Sequence, residues 1–546
     1  MSEKYRIKQC DVLIIGGGGS GTLAAVEAAK HKDLKIVLVS KGPVGGSGLT
    51  PTANGGTAFH SSPEATFKDM VTGGDFLNDQ RLVWYMASQA EGAIEKLREF
   101  GVSITRIRDI SVCVPPVELL TKLRKRIIQS PGIELLEDTL VTALIKTNGN
   151  ISGVTALDLT TGAFFVIQAK AVVLATGGLV GELYPRTSNN PFGINTGSSG
   201  TGHAMAYLAG AELIDMEMIQ FVPVPANPSC LNLRYFPDFW EGPYINRHGE
   251  IVESNVGSYQ GKSYSHLFVQ KLYRELEKGN GPLFIDQRNL KKPPAGPKIR
   301  SWHQRRSLIS KLGIDPHENK IEITIGSHFG MGGIRVNEKT ETTIPGLFAA
   351  GEVMGGLHGG LRMAGYSFTQ MIVFGFEAGK QAAQYALESH FLEVPDPEVD
   401  VEKKRVFRFL LSKDDQVFAR DLKRQLQQIM HKNVFVMRDR RGLEEAKRSL
   451  RAIKSHMTAV TVPDFRVFNL EWVNAIELSL MVEAAQVIVE SALAREESRG
   501  FHFRSDFPGR DNQRWLRHTV IKRHKNQPAL DLSPVELYEM NPEVQA

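Results

Sequence analysis

The fold is decided by residues 11–30, which read DVLIIGGGGSGTLAAVEAAK. The apolar run at the start of this stretch is typical of a buried strand, and the small residues at its end are typical of a helix packed closely on a sheet. Between them, Gly16, Gly18 and Gly21 fit the spacing G-x-G-x-x-G in the strand–turn–helix setting that it requires. Such glycines permit a tight turn and let the backbone approach a pyrophosphate. The stretch therefore predicts a dinucleotide site at a helix N-terminus.

Two further strands support this site. Residues 35–41 read KIVLVSK, so Ser40 and Lys41 stand where many dinucleotide folds place an acidic residue for the adenosine ribose. The missing acid argues against a plain NAD site. Residues 171–178 read AVVLATGG, a second buried strand that ends in a turn of small residues, and we expect this turn beside the same site.

Length and composition describe an ordinary globular protein. The chain has 546 residues, 42% of them hydrophobic and 23% charged, which predicts two to four domains. The net charge of +5 is small, and basic residues are dispersed until the segment 504–525. A nucleic-acid site is therefore not expected. The basic segment indicates a solvated surface or a docking face for an acidic partner protein.

Cysteine and histidine usage excludes several kinds of site. Cys10, Cys113 and Cys230 are widely separated, so the chain's own thiolates provide neither a disulfide framework nor an iron–sulfur or zinc site. The 15 histidines show no H-x-x-x-H or H-E-x-x-H spacing, and no metal site is expected. The sequence contains no run of 18 or more apolar residues, so no membrane span is predicted. The N-terminal residues show no signal-peptide pattern, and we therefore expect a cytoplasmic protein.

Three later segments narrow the class of cofactor. They are HFGMGGI at 328–334, TIPGLFAAGE at 343–352 and HGGLRMAGYS at 358–367. With the two glycine-rich turns, the chain resembles FAD flavoproteins of the two-dinucleotide type. It resembles most the flavoprotein subunits of succinate dehydrogenase and fumarate reductase, of which L-aspartate oxidase is a close relative. Residues 491–508, SALAREESRGFHFRSDFP, resemble the end of that family's helical domain.

The resemblance implies an α/β architecture of several parts. A Rossmann-like FAD-binding domain would comprise residues 1–225 and 335–395, with an inserted α+β capping domain at 226–334. A helical domain at 400–500 and a C-terminal tail at 501–546 would follow.

Local patterns add to this division. Apolar residues recur at three- and four-residue spacing at 422–430 and 443–457, which predicts two helices. Pro395 and Pro397 predict a linker before them.

The resemblance also assigns residues to FAD, from the pyrophosphate through the adenosine ribose to the flavin ring. Glu352 would accept hydrogen bonds from the ribityl hydroxyls, and the N–H groups of Ser367 and Phe368 would face the pyrimidine edge. The expected cofactor-binding residues are Gly16, Gly18, Gly21, Ser40, Lys41, Thr50, Asn54, Gly55, Gly56, Gly178, Glu352, Ser367 and Phe368.

One departure from the family concerns how FAD is attached. Family members in membrane complexes bind FAD covalently through a histidine in the loop after the second strand. Leu49 stands at that position here. Leucine cannot form the bond, so we expect non-covalent FAD with a lower reduction potential, which favours substrate reduction.

The substrate site is only partly kept. Arg362 can clamp a carboxylate through two N–H donors, and His328 can hydrogen-bond the same group. Both match substrate positions of the family. Arg234 and His358 are further candidate donors. In an ungapped pairing, Lys262 falls on the arginine that delivers a proton in fumarate reduction. A lysine can donate a proton but is not an equivalent replacement, and a surface lysine without this role is the alternative.

Other positions depart from the family pattern. The family has Gln-Phe-His-Pro where residues 220–223 read QFVP, so Val222 replaces a substrate-facing histidine. Together with Arg234, Tyr235 and Trp240, this change predicts a pocket for a different carboxylate, a thioester or a larger conjugated substrate.

We therefore expect an FAD-dependent oxidoreductase subunit that moves a hydride between the flavin and a carboxylate-bearing substrate. Since the chain lacks cysteine clusters, electrons would pass to or from an iron–sulfur subunit or another redox partner, through which the protein could associate with a membrane. Three alternatives stay open: an enzyme like L-aspartate oxidase, one like adenylylsulfate reductase, and an electron-transfer flavoprotein subunit without its own small-molecule substrate.

Overall fold

The computed structural model describes residues 5–108, 111–187, 197–226, 242–254, 265–289, 318–411, 417–538 and 540. Its strands form one large sheet and several smaller ones. The strands in chain order are β1 (Arg6–Ile15), β2 (Ile36–Val39), β3 (Gly56–Ala58), β4 (Thr105–Arg108), β5 (Ser111–Cys113), β6 (Ile133–Leu136), β7 (Thr139–Thr147), β8 (Asn150–Asp158), β9 (Phe164–Leu174), β10 (Leu213–Ile214), β11 (Ile219–Pro225), β12 (Tyr244–Ile245), β13 (Ile251–Glu253), β14 (Leu283–Ile285), β15 (Ile321–Gly330), β16 (Gly333–Ile334), β17 (Leu347–Ala349), β18 (Met437–Arg438), β19 (Phe503–Arg504), β20 (Arg517–His524) and β21 (Gln527–Pro534).

Helices occur throughout the described chain and are concentrated after residue 365. In chain order they are α1 (Gly19–Ala28), α2 (Pro63–Gly73), α3 (Gln80–Glu99), α4 (Pro116–Gln129), α5 (Val180–Leu183), α6 (Thr201–Leu208), α7 (His266–Glu277), α8 (Tyr366–Glu388), α9 (Asp396–Phe407), α10 (Ala419–Asn433), α11 (Arg440–His456), α12 (Leu470–Ala494) and α13 (Asn512–Trp515), with short 3₁₀ turns at Thr50–Thr52, Gly351–Val353 and Arg408–Leu410.

The central sheet has the strand order β6–β2–β1–β9–β8–β7, with β17 beside the end of β9. Strands β6, β2, β1, β9 and β17 are parallel, whereas β8 and β7 extend the sheet as an antiparallel pair. Ile15 is in register with both Val39 and Leu174, and Leu174 is in register with Ala349. Because parallel strands end at the same edge, the turns that follow these four strands meet there.

The sequence of the central strands explains their place in the sheet. Residues 12–15 and 171–174 are buried without the polar alternation of a half-exposed strand. A continuous apolar run is what a parallel strand covered on both faces requires. Helices α1 and α8 pack against each other and on this sheet, and Gly379 permits their close approach, since a Cβ there would lie 2.2 Å from the Ala24 carbonyl oxygen.

A second, antiparallel sheet has the order β11–β15–β14–β12–β13. Its first strand precedes residue 226 and its longest strand, β15, ends at Gly330, beside the edge of the central sheet where the parallel strands end. A third sheet, β16–β10–β20–β21, adds the C-terminal hairpin to the body of the protein. The mixed architecture predicted from the sequence is therefore confirmed.

The helical region follows the predicted periodicity, with one difference. Helix α10 contains the predicted segment 422–430, and α11 covers the predicted segment 443–457 except its last residue. The expected linker is instead the beginning of α9, with Pro397 in its first turn. Proline is tolerated there because an N–H in the first turn of a helix has no intrahelical acceptor.

Among the described residues, α12 is the one helix whose length and apolar composition would suffice to cross a membrane. In its most apolar window, 78% of the residues are buried inside the protein. Side chains of α12 pack against α6, α10 and α11. This burial is that of a core helix.

Candidate functional site

A cavity of about 660 Å³ lies at the edge of the central sheet where the parallel strands end. Its walls come from segments that are distant in sequence: the turns after β1, β2, β9 and β17, the loop before β3, the end of β15 and the start of α8. The predicted site residues that line it are Gly16, Gly18, Ser40, Lys41, Thr50, Asn54, Gly55, Gly56, Gly178, His328, Glu352, Arg362, Ser367 and Phe368, and Leu49 lines it as well.

The turn between β1 and α1 is built for close contact with a ligand. A Cβ on Gly16, whose φ is +118°, would lie 2.2 Å from the Ala175 carbonyl oxygen, and one on Gly21 would lie 1.8 Å from the Gly16 carbonyl oxygen. These two glycines permit the turn and the close helix. Gly18 differs, because a Cβ there would meet nothing nearer than Thr50 Oγ1 at 3.8 Å. Its backbone faces the open cavity at the N-terminus of α1, where a pyrophosphate finds N–H donors.

The next part of the cavity contains an unexpected carboxylate. Ser40 and Lys41 follow β2, as predicted. The Lys41 ammonium contacts Glu477 Oε1 at 2.6 Å. Glu477 belongs to α12, is 3% exposed and lines the cavity. Sequence reasoning missed it, although a carboxylate within an apolar helix is a signal that could have found it.

The opposite part of the cavity is formed by the loop 49–56 and the start of α8. A Cβ on Gly55 would lie 2.1 Å from the Val114 carbonyl oxygen, so the loop passes directly over β5 and its flanking residues. The N–H of Phe368 donates to the Gly365 carbonyl oxygen at 3.1 Å, since the first turn of the helix is closed by an i→i+3 bond. Of the predicted pair of N–H donors, Ser367 is therefore the one without a backbone acceptor in the described structure.

Glu352 lies half-buried on the wall between these two parts. Its Oε1 accepts a hydrogen bond from the Gly330 N–H at 3.2 Å. Burial raises the pKa of the Glu352 carboxyl to about 7, opposed by this N–H and by the positive charge of Arg362. A Cβ on Gly178 would lie 2.1 Å from Glu352 Oε1, so any larger residue there would displace the carboxyl group.

Arg362 and His328 are in direct contact. Arg362 is buried, and its Nη2 lies 2.6 Å from His328 Nε2. Arg362 Nε donates to Gln220 Oε1 at 2.9 Å, and Gln220 Nε2 donates back to the Arg362 carbonyl oxygen at 2.9 Å. Weaker contacts join Nη1 to Ser367 Oγ and the Met363 carbonyl oxygen. Since a guanidinium only donates, His328 Nε2 accepts in this pair.

His328 owes its position to an irregularity of β15. Gln220 is in register with Phe329 and Phe221 with Ser327, so His328 is the extra residue of a bulge. A bulge redirects a side chain within a strand, and here the imidazole reaches the cavity. The Phe329 ring lies beneath the guanidinium of Arg362, with 5.1 Å between the guanidinium carbon and the ring centroid.

His358 does not line the cavity, in contrast to its predicted role as a substrate donor. Its Nε2 lies 2.9 Å from Gln370 Oε1, and Gln370 Nε2 donates to the Gly351 carbonyl oxygen at 3.1 Å. Burial lowers the pKa of His358 to about 3, so the ring is neutral. Its imidazole therefore supports Gln370, which lines the cavity, instead of facing a substrate.

The remaining predicted substrate residues divide into two groups. Val222 is buried in β11 opposite Gly326 and does not line the cavity. Arg234, Tyr235, Trp240 and Lys262 lie outside the described residues.

A cluster that the sequence did not reveal also lines the cavity. Tyr366 donates to Asp69 Oδ2 at 2.6 Å, and His60 Nε2 lies 3.4 Å from the same oxygen. Burial and the carboxylate raise the pKa of Tyr366, so the phenol stays protonated. Tyr366 belongs to the HGGLRMAGYS segment, but its partners come from the loop after β3 and from α2.

The cavity suits a large polar ligand such as FAD. Thr176 Oγ1, Ser198 Oγ and Glu477 Oε2 are buried without a hydrogen-bond partner in the described structure, and all three residues line the cavity. Unsatisfied buried oxygens are costly unless a ligand or water provides hydrogen bonds. Together with the glycine turn, they fit a dinucleotide along the sheet edge.

Comparisons with known proteins agree with this geometry. Residues 11–115, 113–234 and 294–368 match the FAD binding domain family, and residues 423–546 match the fumarate reductase flavoprotein C-terminal family. A CoM/CoB fumarate reductase subunit of Methanothermobacter marburgensis is 30% identical, over 96% of this chain and 98% of its own. The fumarate reductase flavoprotein subunit of Escherichia coli is 28% identical, over 98% and 95% of the two chains.

Solved structures show the same relationship. A variant of FrdA from the quinol fumarate reductase of E. coli superposes with a TM-score of 0.86 and 26% identity, covering 98% of both chains. Adenylylsulfate reductase of Archaeoglobus fulgidus, at 22% identity and a TM-score of 0.80, shares the fold. The chain therefore belongs to the succinate dehydrogenase/fumarate reductase flavoprotein subunit family and is an FAD-dependent oxidoreductase.

Proposed function

We propose that the chain reduces a carbon–carbon double bond beside a carboxylate, and that Arg362 and His328 hold the substrate. The observation that carries this proposal is the contact of these two side chains on the cavity wall. FAD supplies the hydride chemistry of such a reaction when it is bound. The relatives named fumarate reductase support a small unsaturated dicarboxylate as the substrate class.

The surroundings of Arg362 suit a rigid carboxylate clamp. Gln220 contacts both its side chain and its backbone, so the guanidinium is held before a substrate arrives. Positioning of this kind lowers the entropy cost of aligning the reacting carbon. A substrate carboxylate would take over the Nη donors that now contact His328 and Met363, and His328 with a proton on Nε2 would donate a second hydrogen bond to it.

Proton delivery is proposed for Lys262 from its pairing with the family arginine, and substrate contact for Arg234 as a new donor at a position where the chain departs from the family pattern. A lysine in a desolvated or cationic site has a lowered pKa and donates its proton more readily. Lys262→Ala should then reduce turnover far more than substrate binding, which steady-state kinetics with fumarate would measure. Unchanged turnover would remove Lys262 from this role.

We further propose that FAD is bound without a covalent link, through the thirteen residues expected from the sequence. Leu49 supports this proposal, since it lines the cavity where the family carries the attaching histidine. Acid precipitation of the holoprotein should leave a colourless pellet and a yellow supernatant. A pellet that stays yellow would contradict non-covalent binding.

The domain limits, the partner and the compartment are proposed as well. The FAD-binding domain would comprise 1–225 and 335–395, the capping domain 226–334, the helical domain 400–500 and the tail 501–546.

The partner would be an iron–sulfur protein, because the chain's three cysteines cannot hold a cluster. The compartment would be the cytoplasm.

The reaction is tested with chemically reduced holoprotein and fumarate. We expect fumarate to reoxidise the flavin, and Arg362→Lys to slow this reaction by about a hundredfold or more, since a lysine cannot form the bidentate contact. Arg335→Lys is the matched control, because Arg335 pairs with Glu212 away from the cavity. If wild-type protein is reoxidised only by a co-purifying redox protein, the chain is an electron-transfer subunit instead.

A further inference from the structure

The most informative unassigned group is the carboxylate of Glu477. It lines the cofactor cavity from α12, far in sequence from the nucleotide-binding turn. One oxygen accepts from Lys41 Nζ at 2.6 Å, and the other has no hydrogen-bond partner among the described residues. The side chain is 3% exposed, so bulk water does not solvate it.

Such a carboxylate is expensive without a further partner. An ion pair satisfies one oxygen, but a buried acceptor left unpaired carries its full desolvation penalty. The neighbouring residues indicate what could satisfy it. Ser40 and Lys41 follow β2, which is where dinucleotide folds usually bring an acidic residue to the ribose of the adenosine. Glu477 brings a carboxylate to that place in space, although the sequence after β2 has none.

We propose that Glu477 is the ribose-binding carboxylate of the FAD site, accepting a hydrogen bond from a hydroxyl of the adenosine ribose while Lys41 holds it in position. Helix α12 thereby closes the adenosine end of the cavity. FAD binding then fastens the helical region to the central sheet. This inference concerns the cofactor and does not depend on which substrate is reduced.

The test measures binding of nucleotide halves to the full-length apoprotein, produced in flavin-depleted cells. Affinities for ADP, 2′-deoxy-ADP and 3′-deoxy-ADP are determined by calorimetry for the wild type and for Glu477→Ala. We expect the substitution to weaken ADP binding about tenfold or more, as is usual when a hydrogen bond to a charged group is lost. It should weaken the binding of one of the deoxy analogues much less, because the hydroxyl that contacts Glu477 is already missing from that analogue.

Two comparisons separate this role from a structural one. Glu483→Ala is the matched control, since Glu483 lies on the same helix and pairs with Lys454 at 2.6 Å outside the cavity; it should leave ADP binding unchanged. FMN, which lacks the adenosine, should bind the wild type and Glu477→Ala equally.

Three results would overturn the proposal. One is ADP affinity equal to that of the wild type. Another is an equal loss for ADP and both deoxy analogues, which would mean that Glu477 acts only on Lys41. If Glu477→Ala also loses FMN binding, the variant has misfolded, and Glu477→Gln, which keeps the side-chain volume, replaces it. Glu477→Gln should bind FMN normally and bind ADP about threefold or more weakly. An ADP affinity of Glu477→Gln equal to that of the wild type is the third contrary result.

Discussion

At the scale of single residues, the site depends on groups that their neighbours hold in unusual states. Arg362 is buried, and its guanidinium donates hydrogen bonds to four different groups. The side chain of His328 projects from a bulge in β15. Glu352 is a carboxyl group with a pKa near neutrality, since burial disfavours its charged form. Each of these states has a measurable consequence.

The pKa of Glu352 predicts how the stability of the apoprotein changes with pH. The carboxyl group has an ordinary value of 4.5 in the unfolded chain and about 7 in the folded protein. The folded state therefore binds more protons between these values, and stability falls as the pH rises through this range. Glu352→Gln should be more stable than the wild type at pH 8.5 by up to about 3 kcal/mol.

The measurement is the thermal unfolding midpoint of both apoproteins at pH 5 and pH 8.5. The advantage of the glutamine variant should be close to its full size at pH 8.5 and below about 1 kcal/mol at pH 5, where the folded carboxyl group is protonated. An advantage of equal size at both values would show that the carboxyl group is not titrating in this range.

At the scale of elements, the segment that carries Arg362 is fixed by two glycines. A Cβ on Gly500, whose φ is +54°, would lie 2.0 Å from the Gly360 carbonyl oxygen, and the Phe501 N–H donates to that same oxygen at 3.0 Å. The loop after α12 therefore rests directly on the HGGLR segment. On the other side, the Gly360 N–H donates to the Gly74 carbonyl oxygen at 2.8 Å.

Gly500→Ala should displace this segment and weaken substrate binding. The added Cβ collides with backbone and the residue has a left-handed conformation, which together should reduce kcat/KM for fumarate by about tenfold or more. Gly509→Ala is the control, because a Cβ at Gly509 meets nothing within 4 Å and its φ is not positive. Equal kinetics in the two variants would contradict the proposed support.

The end of α12 is held by a buried network of charges. The side chain of Arg495 is fully buried and contacts Glu217 at 2.5 Å, Glu497 at 3.0 Å and Asp215 at 3.4 Å. Burial raises the pKa of Glu217, and the positive charge of Arg495 opposes this shift. Removing the arginine would leave the buried Glu217 without its ion-pair partner, whereas Glu497 would keep its pair with Arg499.

Arg495→Met should therefore destabilise the protein by about 3–5 kcal/mol. Arg440→Met is the control, since Arg440 is exposed and its ion pair with Glu496 should contribute less than about 1 kcal/mol. Urea unfolding monitored by fluorescence compares the two. A midpoint of Arg495→Met as high as that of the control would show that the network contributes no net stability.

At the scale of the whole molecule, one cavity unites the sheet edge, the antiparallel sheet and the helical region. Strand ends of the central sheet provide the nucleotide turn, β15 provides His328, and α12 provides Glu477. A cofactor bound there would contact all three regions, so its loss should loosen the entire protein and not a single loop.

The lack of cysteine clusters predicts a redox partner for the whole molecule. Tagged protein isolated gently from its native cells should co-purify with a protein that contains an iron–sulfur cluster, visible by its absorbance and by paramagnetic resonance of the reduced sample. The isolated chain should contain flavin and no iron. Full physiological activity in the purified chain alone would contradict the need for this partner.

The sequence by itself determined the nucleotide turn, the flavin class, the two helices at 422–430 and 443–457 and the pairing of Arg362 with His328 in one site. These depend on local patterns, such as glycine spacing and apolar periodicity, or on motifs with a known family order. The tertiary structure alone decided that His358 faces Gln370, that Val222 lies away from the cavity, and that Asp69 and Glu477 line it. Asp69 and Glu477 meet partners that lie hundreds of positions away in the sequence, and His358 meets Gln370 twelve positions away. Only the packing of sheet and helices determines which of these residues meet.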